Sequence, residues 1–397
     1  MSTTSGSPEI VVDLGAIRAN ARLLATHTGV DLIAVVKADG YGHGMAQAAR
    51  AAVEGGARWL AVATPEEALA LRRTEPGTRI LCWLTTPTTD YAACLAADLD
   101  VTAYTVAELD AIAAAGAREA RVQLKVDTGL SRGGAARADW DALFARARQG
   151  EVDGAWRITG LWSHFAASDE PDHPANDAQE KVFSEAVDLA RAAGLRPEIV
   201  HLANSAAAIL RPSARFDAVR CGIALYGLDP APGAVGDDGL RCADIGLRPA
   251  MTVRAPLVMV KDVDAGAGVS YGHRWIAPAP TTVGLVPLGY GDGVPRHASA
   301  DPTRPGAEVL VEGRRRPIRG RICMDQFVID LDGDRPPPGT TAMLFGAGDD
   351  GEPTAQDWAE ASGTINYEIV TRIGGRMSRS YVDETGVDES RVDGGQR

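Results

Sequence analysis

Several side chains able to do chemistry fall beside apolar runs in the first half of the chain. Lys37 ends "AVVK", Lys125 ends "VQLK", His164 sits near the close of "GLWSHF", Ser205 follows "VHLAN", and Arg220 opens "RCGIALYG". A lysine in apolar surroundings loses hydration of its charged form, so its pKa falls and a neutral amine becomes available. A neutral amine condenses with an aldehyde. The turn after Lys37, "ADGYGHG", is glycine-rich and opens a helical stretch, where backbone N–H groups can meet a phosphate. Amine and anion cradle together suggest pyridoxal 5'-phosphate, which carries both partners. A strand-end lysine before a glycine turn is ordinarily structural, so this pattern alone does not decide.

Something must hold these groups at one level. From residue 31 to about 227 the chain alternates β-rich runs with Ala-rich stretches of helical period. The runs are LIAVVK, WLAVAT, RILCWLT, DVTAYT, VQLKVDT, ITGLWSHF, EIVHLANS and AVRCGIALYG. Near-continuous apolar strands alternating with helices imply a parallel sheet covered by helices. Eight of them suit a closed barrel, which ranks above an open doubly wound sheet on that count. In such barrels chemistry gathers at the C-terminal strand ends, where these residues recur.

After about residue 232 the composition turns to β-branched runs separated by Gly, Pro and Asp turns. The expected architecture is α/β: an N-terminal (β/α)8 TIM-type barrel over residues 9–232 and a C-terminal mostly-β domain over 240–385. Tails 1–8 and 386–397 are expected to be disordered.

The bulk numbers narrow the class. The 397 residues exceed what one core usually organises, and 45% hydrophobic content suffices for a packed interior. The formal charge of −13 argues against nucleic acid or an anionic membrane as the main partner. No run is long and apolar enough to span a bilayer. Five cysteines without a CxxC pair fit neither a disulfide framework nor a metal site, and Cys82, Cys221 and Cys323 read as small core residues. A reducing, cytoplasmic location is expected.

The string "AVVKADGYGHG" is more specific than its separate features. It resembles the cofactor-lysine motif of the bacterial alanine racemases, pyridoxal-phosphate enzymes of fold type III. "KVDTGLSRGG", "WSHFAASDE", "HLANSAA", "RCGIALYG", "VSYGHRW", "PLGYGDGVPR", "GRICMDQ" and "NYEIVTRIG" follow in that family's order, covering about residues 9 to 382. "TGLSRGG" departs from the family at Leu130 and Ser131, and "GGRMSRSY" lacks a proline at Ser378.

The resemblance implies a set of roles. Lys37 holds the cofactor covalently. Tyr41, Ser205, Gly222, Ile223 and Tyr367 contact its phosphate. Arg220 faces the pyridine nitrogen, and His164 bridges Arg220 to Tyr271. Arg132 touches the cofactor phenolic oxygen and the substrate carboxylate, steadied by Lys125, which is carbamylated in many members. Met324 presents its backbone to the substrate, with Asp325 nearby. Asp169, Tyr290, Arg296 and Arg321 match an access channel. The family's homodimer shares its active sites between subunits, and its product is D-alanine for peptidoglycan.

Inverting an α-carbon needs proton transfer on both faces, which Lys37 and Tyr271 would provide. A free phenol titrates at about 10, so Tyr271 needs coupling to cations, for which His164 and Arg220 are placed. Arg220 would leave the pyridine nitrogen unprotonated, favouring reprotonation over transamination. The alternatives are a serine or broader-range racemase, since one methylene is worth only ~1–3 kcal/mol of discrimination, and a non-catalytic cofactor carrier.

Overall fold

A computed structural model of the chain describes residues 6–116, 118–236, 238–300 and 305–383. Apart from residues 6–8, the tails expected to be disordered lie outside the described residues. The chain divides into two compact units.

One unit comprises Ile17–Gly40 and Gly44–Leu247. Numbered along the whole chain after β1 (Glu9–Asp13, in the other unit), its strands are β2 (Asp31–Val35), β3 (Trp59–Val62), β4 (Arg79–Cys82), β5 (Asp100–Ala103), β6 (Ala120–Lys125), β7 (Trp156–Trp162), β8 (Ile199–His201) and β9 (Ala218–Cys221). They pair in parallel in sequence order, and β2 closes on β9 through Ile33↔Arg220. The eight runs read from the sequence are these eight strands. They are nearly all buried because helices cover the outer face. The intervening helices carry their own start signals. In Pro65–Thr74, Thr64 and Glu67 form a reciprocal capping box ahead of Pro65. Met45–Glu54 buries a stripe of four alanines.

The barrel interior is less apolar than such barrels usually are. At the N-terminal end of the strands, the fully buried Asp100 receives both Arg79 and Arg121 and a 2.7 Å bond from Thr159. Nearer the opposite end lie Gln123 and His201.

The other unit contains residues up to Ala16, Tyr41–His43, and the chain from Arg248. It holds β1 (Glu9–Asp13), β10 (Met251–Pro256), β11 (Met259–Val263), β12 (Gly268–Val269), β13 (Trp275–Ile276), β14 (Thr281–Val286), β15 (Glu308–Val311), β16 (Arg314–Arg319), β17 (Phe327–Asp330), β18 (Thr341–Phe345) and β19 (Ser378–Val382). Nine form one sheet in the order β11-β14-β17-β16-β15-β18-β10-β1-β19, and β12 pairs with β13.

The expected start of the barrel at residue 9 needs correction. Glu9–Asp13 pairs antiparallel with β10 and parallel with β19, and Glu9 accepts a 2.7 Å bond from Arg254. Its short apolar run "EIVVD" satisfies a mixed sheet as well as a barrel, and only partners ~240 and ~370 residues away decide between them. All five cysteines are free. Cys82 and Cys221 are core residues as expected, whereas Cys323 is only half-buried against Ser270 and Arg321.

Candidate active site

Lys37 lies one residue beyond β2, after Val36, and is half-buried. The backbone after it makes an uncommon excursion: Ala38, Asp39, Gly40 and Tyr41 all have φ between 52° and 62°. Left-handed residues normally occur singly, since each non-glycine costs ~1–2 kcal/mol. Here the turn is braced from several sides. Glu67 accepts from Ala38 N at 2.7 Å, Gly40 N donates to Val36 O, and Asp39 accepts from Met45 N at 2.9 Å. The glycines read as a phosphate turn thus also serve to reverse the chain.

Positive charge accumulates around this turn. Burial lowers the pKa of Lys37, aided by Arg132 and Arg220 and opposed by Glu67. Lys125 is buried, and desolvation with Arg220 and Arg132 brings it down to about 8. Its Nζ lies 4.6 Å from the Trp162 ring and 5.3 Å from that of Tyr104. Lys37 lies 5.7 Å from Trp83. Arg132 and Asp169 are exposed.

Arg220 is the best-anchored member. Its Nη2 donates to the carbonyls of Ser163 (2.8 Å) and Leu202 (2.9 Å) and to Nδ1 of His164 (3.1 Å). Its Nη1 donates to Nδ1 of His201 at 2.8 Å, and the guanidinium lies 4.8 Å from the Trp162 ring. Full burial brings its pKa down to about 9, so it remains charged at neutral pH. The Arg220 half of the expected His164 bridge is therefore formed. Burial and the neighbouring cations, Arg220 foremost, hold His164 well below the usual histidine range.

Ser205, Gly222 and Ile223 are brought together and buried. Ser205 Oγ accepts from Gly222 N at 3.0 Å, fixing the start of the helix Ser205–Leu210 against the end of β9.

Sequence reading missed three members of this cluster. His201 and Gln123 bond at 2.8 Å inside the barrel, and Trp162 stacks on His201 at 5.7 Å with an 8° interplanar angle. A signal existed: "VQLK" and "IVHL" each place one polar residue inside an apolar run. Gly160 makes room, because a Cβ there would lie 2.5 Å from Gln123 Cδ.

The β-rich unit carries the other candidates. The rings of Tyr41 and Tyr367 meet at 6.4 Å. A cavity of about 670 Å³ is lined by Ser270, Tyr271, Tyr290, Cys323, Met324 and Asp325 among others. Tyr271 is 71% exposed and Met324 54%. Asp325 was expected at the substrate, yet its carboxylate accepts from Arg376 at 2.7 Å, and Arg376 also grips the buried Asp292. Arg321 is half-buried against Gly272, while Tyr290 and Arg296 are exposed; Tyr290 lines the cavity.

Comparison with known proteins agrees with this layout. The alanine racemase N-terminal domain matches residues 12–230 and the alanine racemase C-terminal domain residues 250–381. This chain belongs to the alanine racemase family. It is 54% identical over 382 residues to an alanine racemase of Streptomyces coelicolor, covering 94% of this chain and 95% of that one. An alanine racemase of Salinispora arenicola is 51% identical, covering 95% and 98%. The crystal structure of alanine racemase from D-cycloserine producing Streptomyces lavendulae superposes with a TM-score of 0.91 at 46% identity, covering 96% and 98%. The protein is accordingly an enzyme, an isomerase of the alanine racemase family. Among the described residues no helix is long and apolar enough to cross a membrane.

Proposed function

We propose that this enzyme interconverts L- and D-alanine with pyridoxal 5'-phosphate held by Lys37, and that Lys37 and Tyr271 exchange the α-proton on opposite faces. The observation that carries the reading is the convergence of half-buried Lys37 with Lys125, Arg132 and Arg220 at the C-terminal strand ends. The counter-charges acting on these lysines are Glu67 on Lys37 and Asp127 on Lys125. So much positive charge suits a phosphate-bearing ligand and an amino-acid carboxylate.

The donor set fits the cofactor. An amine with depressed pKa suits the aldehyde. Ser205, Gly222 and Ile223, with Tyr41 and Tyr367, supply hydroxyls and backbone at the phosphate. Arg220 Nε makes no hydrogen bond among the described residues, leaving a donor for the pyridine nitrogen. When bound, the cofactor supplies a conjugated ring that delocalises charge from the substrate α-carbon.

The side chains then divide the work. Lys37 takes or returns a proton at Nζ, which its lowered pKa makes easier. Tyr271 Oη does the same from the other face, with His164 coupling it to Arg220. Arg220 withholds a proton from the ring nitrogen, which favours reprotonation at carbon over side reactions. Arg132 and the Met324 backbone orient the substrate carboxylate. A carbamate on Lys125 would offer Arg132 an anionic partner. Asp169, Tyr290, Arg296 and Arg321 guide access.

The exposed Tyr271, Ile276, Tyr290 and Met324 support a homodimer in which the β-rich unit of one copy completes the partner's site. The reading puts the enzyme in the cytoplasm, supplying D-alanine for peptidoglycan.

Borohydride reduction of the loaded protein should label Lys37, and L- or D-alanine should be inverted faster than serine. Tyr271→Phe should retain the cofactor and lose racemisation by ~10²-fold or more. Label at another lysine, or full activity in Tyr271→Phe, removes the proposal.

A further inference from the structure

Ser270, which precedes Tyr271, has φ 61° and ψ −173°. This backbone region is essentially reserved for glycine, because a Cβ clashes there. The strain is not isolated. Gly272 (φ 71°) and His273 (φ 41°) continue the left-handed path, and His273 N closes the turn on Ser270 O at 3.2 Å. A sequence free to vary would relax position 270 by adopting glycine. It has serine instead, and the serine hydroxyl is used: Oγ donates to the Arg321 carbonyl at 2.6 Å and lies 3.4 Å from Cys323 Sγ.

That bond ties two segments of the β-rich unit. One carries Tyr271; the other runs from Arg321 to Met324. Their backbones are in close contact, since a Cβ on Gly320 would lie 2.5 Å from Val269 O and 2.9 Å from Ser270 Cβ. Both segments line the same cavity. Tyr271 is 71% exposed, so packing within the unit does little to aim its phenol. Within the unit, the backbone turn is what aims it.

We infer that Ser270 is a positioning residue: its hydroxyl holds a strained turn in the one conformation that sets the Tyr271 phenol at a fixed distance from the Met324 segment. The inference rests on the reading of Tyr271 as the second proton-transferring group. Strain maintained by a hydrogen bond is a form of pre-organisation, with stability exchanged for geometry.

The test compares Ser270→Gly with Ser270→Ala. Both remove the hydroxyl; only glycine relieves the backbone. Ordinarily the alanine variant is the more stable, through its smaller unfolded-state entropy. Here the glycine variant should melt above the alanine variant, by roughly 2–4 °C for a domain of this size, whether or not cofactor is bound. In the loaded enzyme, Ser270→Gly should retain cofactor and KM for alanine while kcat falls about 10–100-fold, as expected for a misplaced proton-transferring group. An alanine variant that fails to fold also satisfies the stability order. An alanine variant melting at or above the glycine one removes the strain. A wild-type kcat in Ser270→Gly removes the positioning role. Tyr271→Phe separates the two ideas: if it is inactive while Ser270→Gly is normal, the anchor fails and the role of Tyr271 stands. If Tyr271→Phe is fully active, the underlying reading fails.

Discussion

Arg220 donates a 2.8 Å hydrogen bond from Nη1 to Nδ1 of His201. A guanidinium can only donate, so Nδ1 must be unprotonated. Burial first, and Arg220 second, hold the imidazole well below the usual histidine range. His201 is therefore neutral with its proton on Nε2, which donates to Gln123 Oε1 at 2.8 Å. The relationship orients three side chains at once: the histidine tautomer, the glutamine amide and the arginine fork.

This assignment has a spectroscopic consequence. In ¹⁵N-histidine-labelled protein, His201 should show an Nε2–H tautomer that persists as the pH is lowered towards 5. Replacing Gln123 by leucine strips the buried Nε2–H of its acceptor and should cost about 1–3 kcal/mol in urea unfolding. A doubly protonated His201 at pH 6 would contradict the network.

Stability should fall on the acid side. His164 and His201 have folded pKa values depressed below the unfolded value of about 6.5, so the unfolded chain binds more protons below that pH. The penalty is absent above about pH 6.5 and grows as the pH falls beneath it. Urea midpoints at pH 7.5 and 5.5 should differ in that direction, and less so in a His201→Gln variant.

Lys125, with its pKa at about 8, is half neutral near that pH, and a neutral amine is the form that adds carbon dioxide. Incubation with ¹³C-bicarbonate should give a carbamate NMR signal stronger at pH 8.5 than at 6.5. It should vanish in Lys125→Met.

Arg220→Glu should expose the side reaction that the arginine suppresses. With alanine, pyruvate should form up to one equivalent per bound cofactor, the amino group passing to the cofactor, and be read in a coupled dehydrogenase assay, while the wild type forms none measurable. The substitution also turns acceptor atoms towards the Ser163 and Leu202 carbonyls, costing about 1–3 kcal/mol for each carbonyl stripped of its donor. A variant that racemises without pyruvate would count against the suppressing role.

At the other end of the barrel, Asp100→Asn should separate stability from catalysis. Asp100 is fully buried between Arg79 and Arg121, and removing its charge leaves Arg79 paired with Glu198 alone and Arg121 with Asp98 alone. Denaturant unfolding should register a loss of about 1–3 kcal/mol, the range for weakened hydrogen bonds to charged groups. Racemisation by the folded fraction should be unchanged.

The sequence by itself determined the repeating strand-and-helix plan, because each run of Val, Ile and Leu had to be buried on both faces and each capped helix declared its own start. It also determined the residue types at the strand ends, with Lys37, Lys125, His164, Ser205 and Arg220 legible as a recurring level. These are local signals, carried by neighbours in the chain.

Tertiary structure alone decided where Glu9–Asp13 pairs, since strand pattern specifies a face and not a partner. It alone put Gln123 and His201 behind Arg220, because hydrogen bonds across a barrel join residues 78 and 19 positions apart. It engaged Asp325 with Arg376, and it bent Ala38–Tyr41 and Ser270 into left-handed backbone that their side chains disfavour. Local preference was overruled at those turns by distant contacts, the Glu67 carboxylate at one and the Arg321 carbonyl at the other.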